Sequence, residues 1–298
     1  MAYEYLNPGS DALETAANWR LSDGTAGSGF TAASSTLFIE NGGQNINPAG
    51  VDLSATVTGS VPSFTVRNFD GNIGSASGSV KWGGGSGTTY TGLDPVDRID
   101  YFANRGNFYF EAKGGSGSAD TLNLLRIGGG GNFFATGGAF LKVHVNGGSF
   151  NMNAIATFAA SSTLQLFSGK AVIESSADVC ESIECWGGSG TFKRNATAIV
   201  VHGGDHIIEM PTGVLTTLTI HGGRVELRST KANGATNPIV NFNLYGGQLD
   251  CRSLKRTTQI TNATLGPGEI ISHPGLRLPT GANLTILGGG PRGNVQLS

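Results

Sequence analysis

Between Ala198 and Arg252 the chain states one short phrase three times. The phrases are Ile199-Val-Val-His-Gly-Gly-Asp-His-Ile-Ile-Glu, Leu218-Thr-Ile-His-Gly-Gly-Arg-Val-Glu-Leu-Arg and Phe242-Asn-Leu-Tyr-Gly-Gly-Gln-Leu-Asp-Cys-Arg. Each is an alternating run, one bulky residue, a glycine pair and a second alternating run. Alternation at period two marks a strand with one face buried. Paired glycines between strands mark a turn that needs positive φ or leaves no room for a side chain. The phrase returns at Gly203, Gly222 and Gly246, an interval of roughly 20 residues within the range of solenoid repeats.

The same grammar extends in both directions. Leu37-Phe-Ile-Glu-Asn-Gly-Gly opens it, and Ser79-Val-Lys-Trp-Gly-Gly-Gly and Asn107-Phe-Tyr-Phe-Glu-Ala-Lys continue it. Leu141-Lys-Val-His-Val-Asn-Gly-Gly, Leu164-Gln-Leu-Phe-Ser-Gly and Ile183-Glu-Cys-Trp-Gly-Gly follow, and Leu284-Thr-Ile-Leu-Gly-Gly-Gly closes the series. No helical periodicity separates the phrases, which excludes leucine-rich repeats and βαβ folds. The 48 glycines follow no Gly-X-Y period, so collagen is excluded, and regular Val, Ile, Leu and Phe argue against disorder. The expected fold is all-β: a single-stranded right-handed parallel β-helix of about ten to thirteen coils over residues 37–298. A β-sandwich with evenly spaced strands is the competitor.

Residues 1–36 read differently, as an N-terminal arm or cap. Asp11 to Ala17 suits one short helical turn capped by Asp11, and a Gly/Ser/Thr/Ala tract from Ser22 to Ser35 offers little core. Trp19 serves either as a lid over the open end of the solenoid or, with Tyr3, Tyr5, Leu6 and Leu13, as an anchor on a partner surface.

Net charge is −2, which carries no nucleic-acid signature. Residues 1–190 hold 9 Lys/Arg against 16 Asp/Glu, whereas 191–298 hold 10 against 5, an asymmetry suited to oriented contact with a partner. Cys180, Cys185 and Cys251 form neither a disulfide framework nor a zinc knuckle, and small buried apolar roles fit them. The opening Met-Ala-Tyr-Glu-Tyr is unlike a signal peptide, and no apolar run reaches membrane-spanning length, so a cytoplasmic origin without membrane attachment is expected.

Few residues offer chemistry. The position before Gly-Gly is successively Asn146, Trp186, His202, His221 and Tyr245, which a stacked solenoid would align as a ladder at one corner. His202 and His221, with His206 nearby, could approach a metal, but no acid or cysteine recurs at ligand spacing, and ring stacking explains the column without one. His144 and His273 have no companions. Asp94, Asp97 and Asp100 with Arg98 form the closest acidic group, a candidate for glycan or calcium contact or simply a solvated loop. Asp205 and Glu209 flank one turn without a partner acid. Arg252 to Arg256, with Arg224 and Arg228 a coil earlier, suggests a positive strip for an acidic protein surface or for phosphate. No metal, cofactor or catalytic site is expected.

The repeated phrase resembles the coils of pectin-lyase-like β-helix proteins, including autotransporter passengers and bacteriophage virion proteins, over about Thr36 to Leu297. Autotransporters carry a signal peptide and a membrane barrel. The Asn18-Trp-Arg opening and the absence of acid clusters look more like a tailed-phage structural protein. That resemblance implies a non-enzymatic capsid decoration or cement protein, assembled in the host cytoplasm, carried on the virion and bound to the major capsid or another lattice protein. A homo-oligomer is compatible with it, and a tail spike or fibre that binds or cleaves host-surface glycan is the alternative. Fold alone does not decide between them.

Overall fold

The alternating phrases become strands that stack in parallel on their counterparts one coil away. The structure, a computed structural model, describes residues 3–29, 36–53, 63–82, 98–112, 121–210, 215–229, 239–254 and 258–292. Among these, 24 strands are joined by turns and no α-helix occurs, only short 3-10 turns, so the class is all-β. Pairing between rungs is parallel and the sheet does not close, which makes the chain a parallel β-helix and excludes the antiparallel sandwich. Two compact units divide it, Met1–Ala159 and Ala160–Ser298.

In the first unit, Thr36–Gly42, Phe64–Phe69, Arg98–Phe102, Thr121–Ile127 and Ala139–Met152 pair in succession as five rungs of one strip. A second strip runs through Val51–Asp52, Val80–Trp82, Asn107–Ala112 and Asn132–Gly137. On the first strip the rung interval varies from 18 residues, Leu125 to Val143, to 35, Phe64 to Ile99. The interior is aromatic. Phe64, Tyr101, Phe108, Phe110, Phe133, Phe140 and Phe150 are fully buried, and their rings meet mostly edge to face at 5.1–6.4 Å.

In the second unit seven rungs follow: Thr157–Ile173, Val179–Cys185, Asn195–Val201, Leu215–Ile220, Ile239–Leu244, Thr258–Leu265 and Leu284–Ile286. Their interval is 16 residues from Ile183 to Ile199 and 24 from Leu218 to Phe242, bracketing the expected 20. Inward positions are mainly aliphatic: Leu164, Ile183, Ile199, Leu218, Phe242 and Ala263 form one column, all at most 3% exposed. Each large member contributes about 1.5–3 kcal/mol by leaving water.

The two glycines of each pair do different jobs. The second takes positive φ, +87° at Gly204, +73° at Gly223 and +69° at Gly247. The first has no room, since a Cβ on Gly222 would lie 2.5 Å from the His202 carbonyl of the coil beneath.

Residues 3–29 form a cap, not a free arm. Tyr3–Leu6 pairs in parallel with Thr36–Gly42 and antiparallel with Trp19–Leu21, so the first rung's edge is covered. Leu6, Leu13 and Trp19 are buried, and the indole Nε1 donates to the Leu13 carbonyl at 2.9 Å. The buried Glu4 carboxylate accepts from the Ser28 and Gly29 amides at 2.7 and 2.5 Å. The polarity that suggested an unanchored segment is therefore internal satisfaction of the backbone. The expected helical turn is displaced: a 3-10 turn at Ala16–Asn18 follows Thr15, with no side-chain cap. Of the named anchors, Tyr3 is half-exposed and Tyr5 stacks on Phe38 at 5.1 Å.

Candidate ligand-binding face

The register of the second unit sorts outward residues into three columns on one strip. The ladder column is the clearest. Trp186 stacks on His202 at 3.9 Å and 10°, His202 on His221 at 4.9 Å and 3°, and His221 on Tyr245 at 5.1 Å and 19°. Four of the five residues singled out before Gly-Gly thus align as expected, while Asn146 lies in the first unit, in the strand Ala139–Met152. Phe167 holds the same position one rung earlier, since Leu166 pairs with Cys185. Its phrase reads Phe-Ser-Gly, so the glycine pair did not flag it. At the other end Leu244 pairs with Leu265, which puts Gly266 opposite Tyr245.

The two inner columns are polar. Thr217, Asn241 and Asn262 are in register, as are Thr219, Asn243, Thr264 and Thr285. Asn262 Nδ2 donates to Asn241 Oδ1 at 3.0 Å, and Asn243 Nδ2 to Thr219 Oγ1 at 3.2 Å, so the amides are held in fixed orientation. All of these but Thr219 line a cleft of about 330 Å³ whose lining residues are uncharged. Earlier rungs are more acidic: Gln165 donates to Glu184 at 3.0 Å, and Glu184 Oε1 lies 3.4 Å from His202 Nε2.

The histidines do not converge on a metal. His206 is buried on the other strip, its Nε2 2.8 Å from the Gly203 carbonyl, and burial lowers its pKa. Among the described residues no group of three potential ligands comes together. His144 is half-buried, its pKa lowered by burial and by Lys142, and His273 Nδ1 accepts from the Gly275 amide at 3.0 Å. The three cysteines are free and buried, and burial pushes the thiols of Cys180 and Cys251 up to about 12, far from nucleophilic use.

The acidic candidates are structural where they are described. Asp94 and Asp97 lie outside the described residues. Asp100 is 5% exposed and clamped by Arg98 Nη2 at 2.7 Å and by Arg126 through Nε at 2.6 Å and Nη2 at 2.7 Å. Asp205 and Glu209 are in register with Arg224 and Arg228.

The described arginines of the basic strip, Arg224, Arg228 and Arg252, are paired with acids. Asp250 accepts from Arg224 Nη2 at 2.7 Å and from Arg252 through Nε at 3.0 Å and Nη2 at 2.7 Å. Glu226 accepts from Arg228 Nε at 2.6 Å and from Ser253 Oγ at 2.6 Å. Lys255 and Arg256 lie outside the described residues. Glu226 and Asp250 are register partners on adjacent rungs, a stacked acid pair that sequence reading missed. Hydrogen bonds from Arg228 and Arg252 lower their respective pKa values, so both stay ionised.

A buried ion pair also escaped notice. Arg194 is 1% exposed, donating to Asp178 Oδ2 at 2.9 Å and to the Glu174 carbonyl at 3.1 Å. Comparison of the chain with protein-family models, with curated proteins and with solved structures finds no match.

Proposed function

We propose that the chain is a non-enzymatic structural protein of a bacteriophage virion, a β-helical protein bound to the particle lattice as a capsid decoration or cement protein. The observation that carries the non-enzymatic part is the locking of its stacked acids. General-acid catalysis on a glycosidic bond needs one carboxyl kept protonated near neutral pH, usually by burial. Glu226 and Asp250 are in register on adjacent coils, yet arginines hold both as carboxylates. They act as struts between coils.

The virion setting is supported by the resemblance of the repeats to phage β-helix proteins. A backbone paired from coil to coil and covered at its first rung suits a scaffold that needs no partner to fold. With Leu6, Leu13 and Trp19 consumed by the cap, attachment belongs to a flank of the helix rather than to residues 1–20. A second copy of the chain on the same lattice is compatible with this arrangement.

The test is electron microscopy of native phage particles labelled with antibody to this chain. Label distributed over the head is expected. Particles without label would overturn the virion reading. Shortening of host-surface polysaccharide by the purified protein, abolished by Asp97→Ala, would overturn the non-enzymatic one.

A further inference from the structure

The second unit ends on an open strand. Leu284–Ile286 pairs with Thr258–Leu265 along one edge, and among the described residues nothing pairs with the other. On earlier rungs that other edge is used. The carbonyls of Cys185, Val201 and Leu265 accept from the His202, His221 and Leu287 amides of the following rung at 2.7, 2.7 and 2.8 Å. Ile286 is next in that series, and among the described residues no amide reaches its carbonyl. The core is open there too. Leu284 and Ile286 are in register with Ala263 and Leu265, which are 3% and 1% exposed. Leu284 is nonetheless only half-buried, and Ile286 is 61% exposed.

Three observations select a second copy of the chain as the cover for this end. The edge is uncharged: no Lys, Arg, Asp or Glu lies between Arg277 and Arg292, whereas exposed edges are ordinarily guarded by such charges. Two copies therefore meet here without like-charge opposition. The first rung of a second copy is not available as a partner, because Tyr3–Leu6 covers Thr36–Gly42. Finally, the edge is complementary to itself. The Leu287 amide points at Leu265, so by alternation the outward backbone groups belong to Leu284 and Ile286. About a two-fold axis at Thr285, Leu284 of each copy faces Ile286 of the other as a hydrogen-bonded pair. Thr285 then faces its own counterpart as a non-hydrogen-bonded pair, with Cα atoms ~4.5 Å apart.

We propose that two copies of the chain join through antiparallel pairing of Leu284–Ile286 about a two-fold axis at Thr285. The pairing continues the sheet across the interface and buries Leu284 and Ile286 of both copies. Such a contact presents the same surface on each side and closes at a dimer. It does not depend on the chain being a virion component.

Sedimentation equilibrium of the whole purified chain measures the association. The contact is small beside the ~1,600 Å² of a standard interface, so a dimer dissociating in the micromolar range is expected. Salt leaves it unchanged, because no charge is paired. Ile286→Asp, at an exposed position, weakens the dimer about tenfold or more while keeping the parent's circular dichroism and melting temperature. Thr285→Cys forms a covalent dimer under mild oxidation, since the paired Cα atoms lie within the ~4.4–6.8 Å that a disulfide spans. Asn283→Cys, two residues away and equally exposed, does not, and the three native cysteines are buried. The proposal is overturned by a chain that stays monomeric at about 100 µM, by assemblies larger than a dimer, by a dimer that Ile286→Asp leaves intact, or by equal cross-linking at the two cysteine positions. Labelling of virions is unaffected by any of these results, so failure here is separable from failure of the virion reading.

Discussion

Truncation of Asp250 to alanine probes the arginine-locked struts directly. The carboxylate side chain is 3% exposed and receives four hydrogen bonds, one from Arg224, two from the Arg252 side chain and one from the Arg252 amide at 3.1 Å. Hydrogen bonds to a charged group contribute about 1.5–3 kcal/mol when well buried. Arg224 and Arg252 are 41% and 64% exposed, so water recovers much of their hydration once the acid is gone. The expected loss at pH 7 is about 1–3 kcal/mol, read from urea unfolding followed by circular dichroism. The effect has a defined pH dependence. Hydrogen bonding from Arg252, then Arg224, holds the folded carboxyl below its unfolded value of about 3.9. The stabilisation is thus complete above that value and fades as pH falls beneath it, by at most about 1.4 kcal/mol per unit. The parent's advantage over Asp250→Ala should shrink markedly between pH 7 and pH 2.5. A variant as stable as the parent at pH 7, or a difference unchanged at pH 2.5, would refute the reasoning.

Further perturbations test the architecture. Gly222→Ala forces a Cβ to 2.5 Å from the His202 carbonyl and should cost about 1–3 kcal/mol by overpacking, visible as a lower urea midpoint; a neutral result would mean that adjacent coils slide freely. Trp19→Ala removes the buried indole of the cap and should cost about 3–5 kcal/mol, and deletion of residues 1–20 should expose the Thr36–Gly42 edge and produce aggregates in light scattering; a soluble, folded truncation would show that the edge needs no cover. Arg194→Ala strands Asp178 beside a cavity and should cost about 3–5 kcal/mol, whereas the exposed pair Arg105–Asp70 should tolerate Arg105→Ala within about 0.5 kcal/mol; equal effects would contradict the burial argument.

How much of this was readable in the residues depends on whether the signal was periodic. The parallel stack was legible because burial on one face forces alternation, and because most corners carry two successive glycines, one for φ and one for space. The cap was half legible. Trp19 stood out, but its burial depends on Leu13 and on Asn47, whose Oδ1 accepts the Leu13 amide at 3.0 Å from 34 residues away. No local pattern announces a contact of that span. Arg194 was invisible for the same reason: an arginine at a strand entrance reads as solvated until the turn carrying Glu174 and Asp178 is known to fold over it.

The binding face lay between these cases. Each of its residues is an ordinary outward Thr or Asn, and no single coil holds a motif. The columns emerge only when coils of unequal length are aligned, because the step from Leu218 to Phe242 is 24 residues and the step from Phe242 to Ala263 is 21. Aligning on glycine pairs found Trp186, His202, His221 and Tyr245 but passed over Phe167, whose turn is Ser-Gly, and Gly266, whose turn is Pro-Gly. Those two exceptions set the limits of the ladder. In a solenoid the repeat specifies the scaffold, and departures from it at outward positions are where a surface acquires specificity.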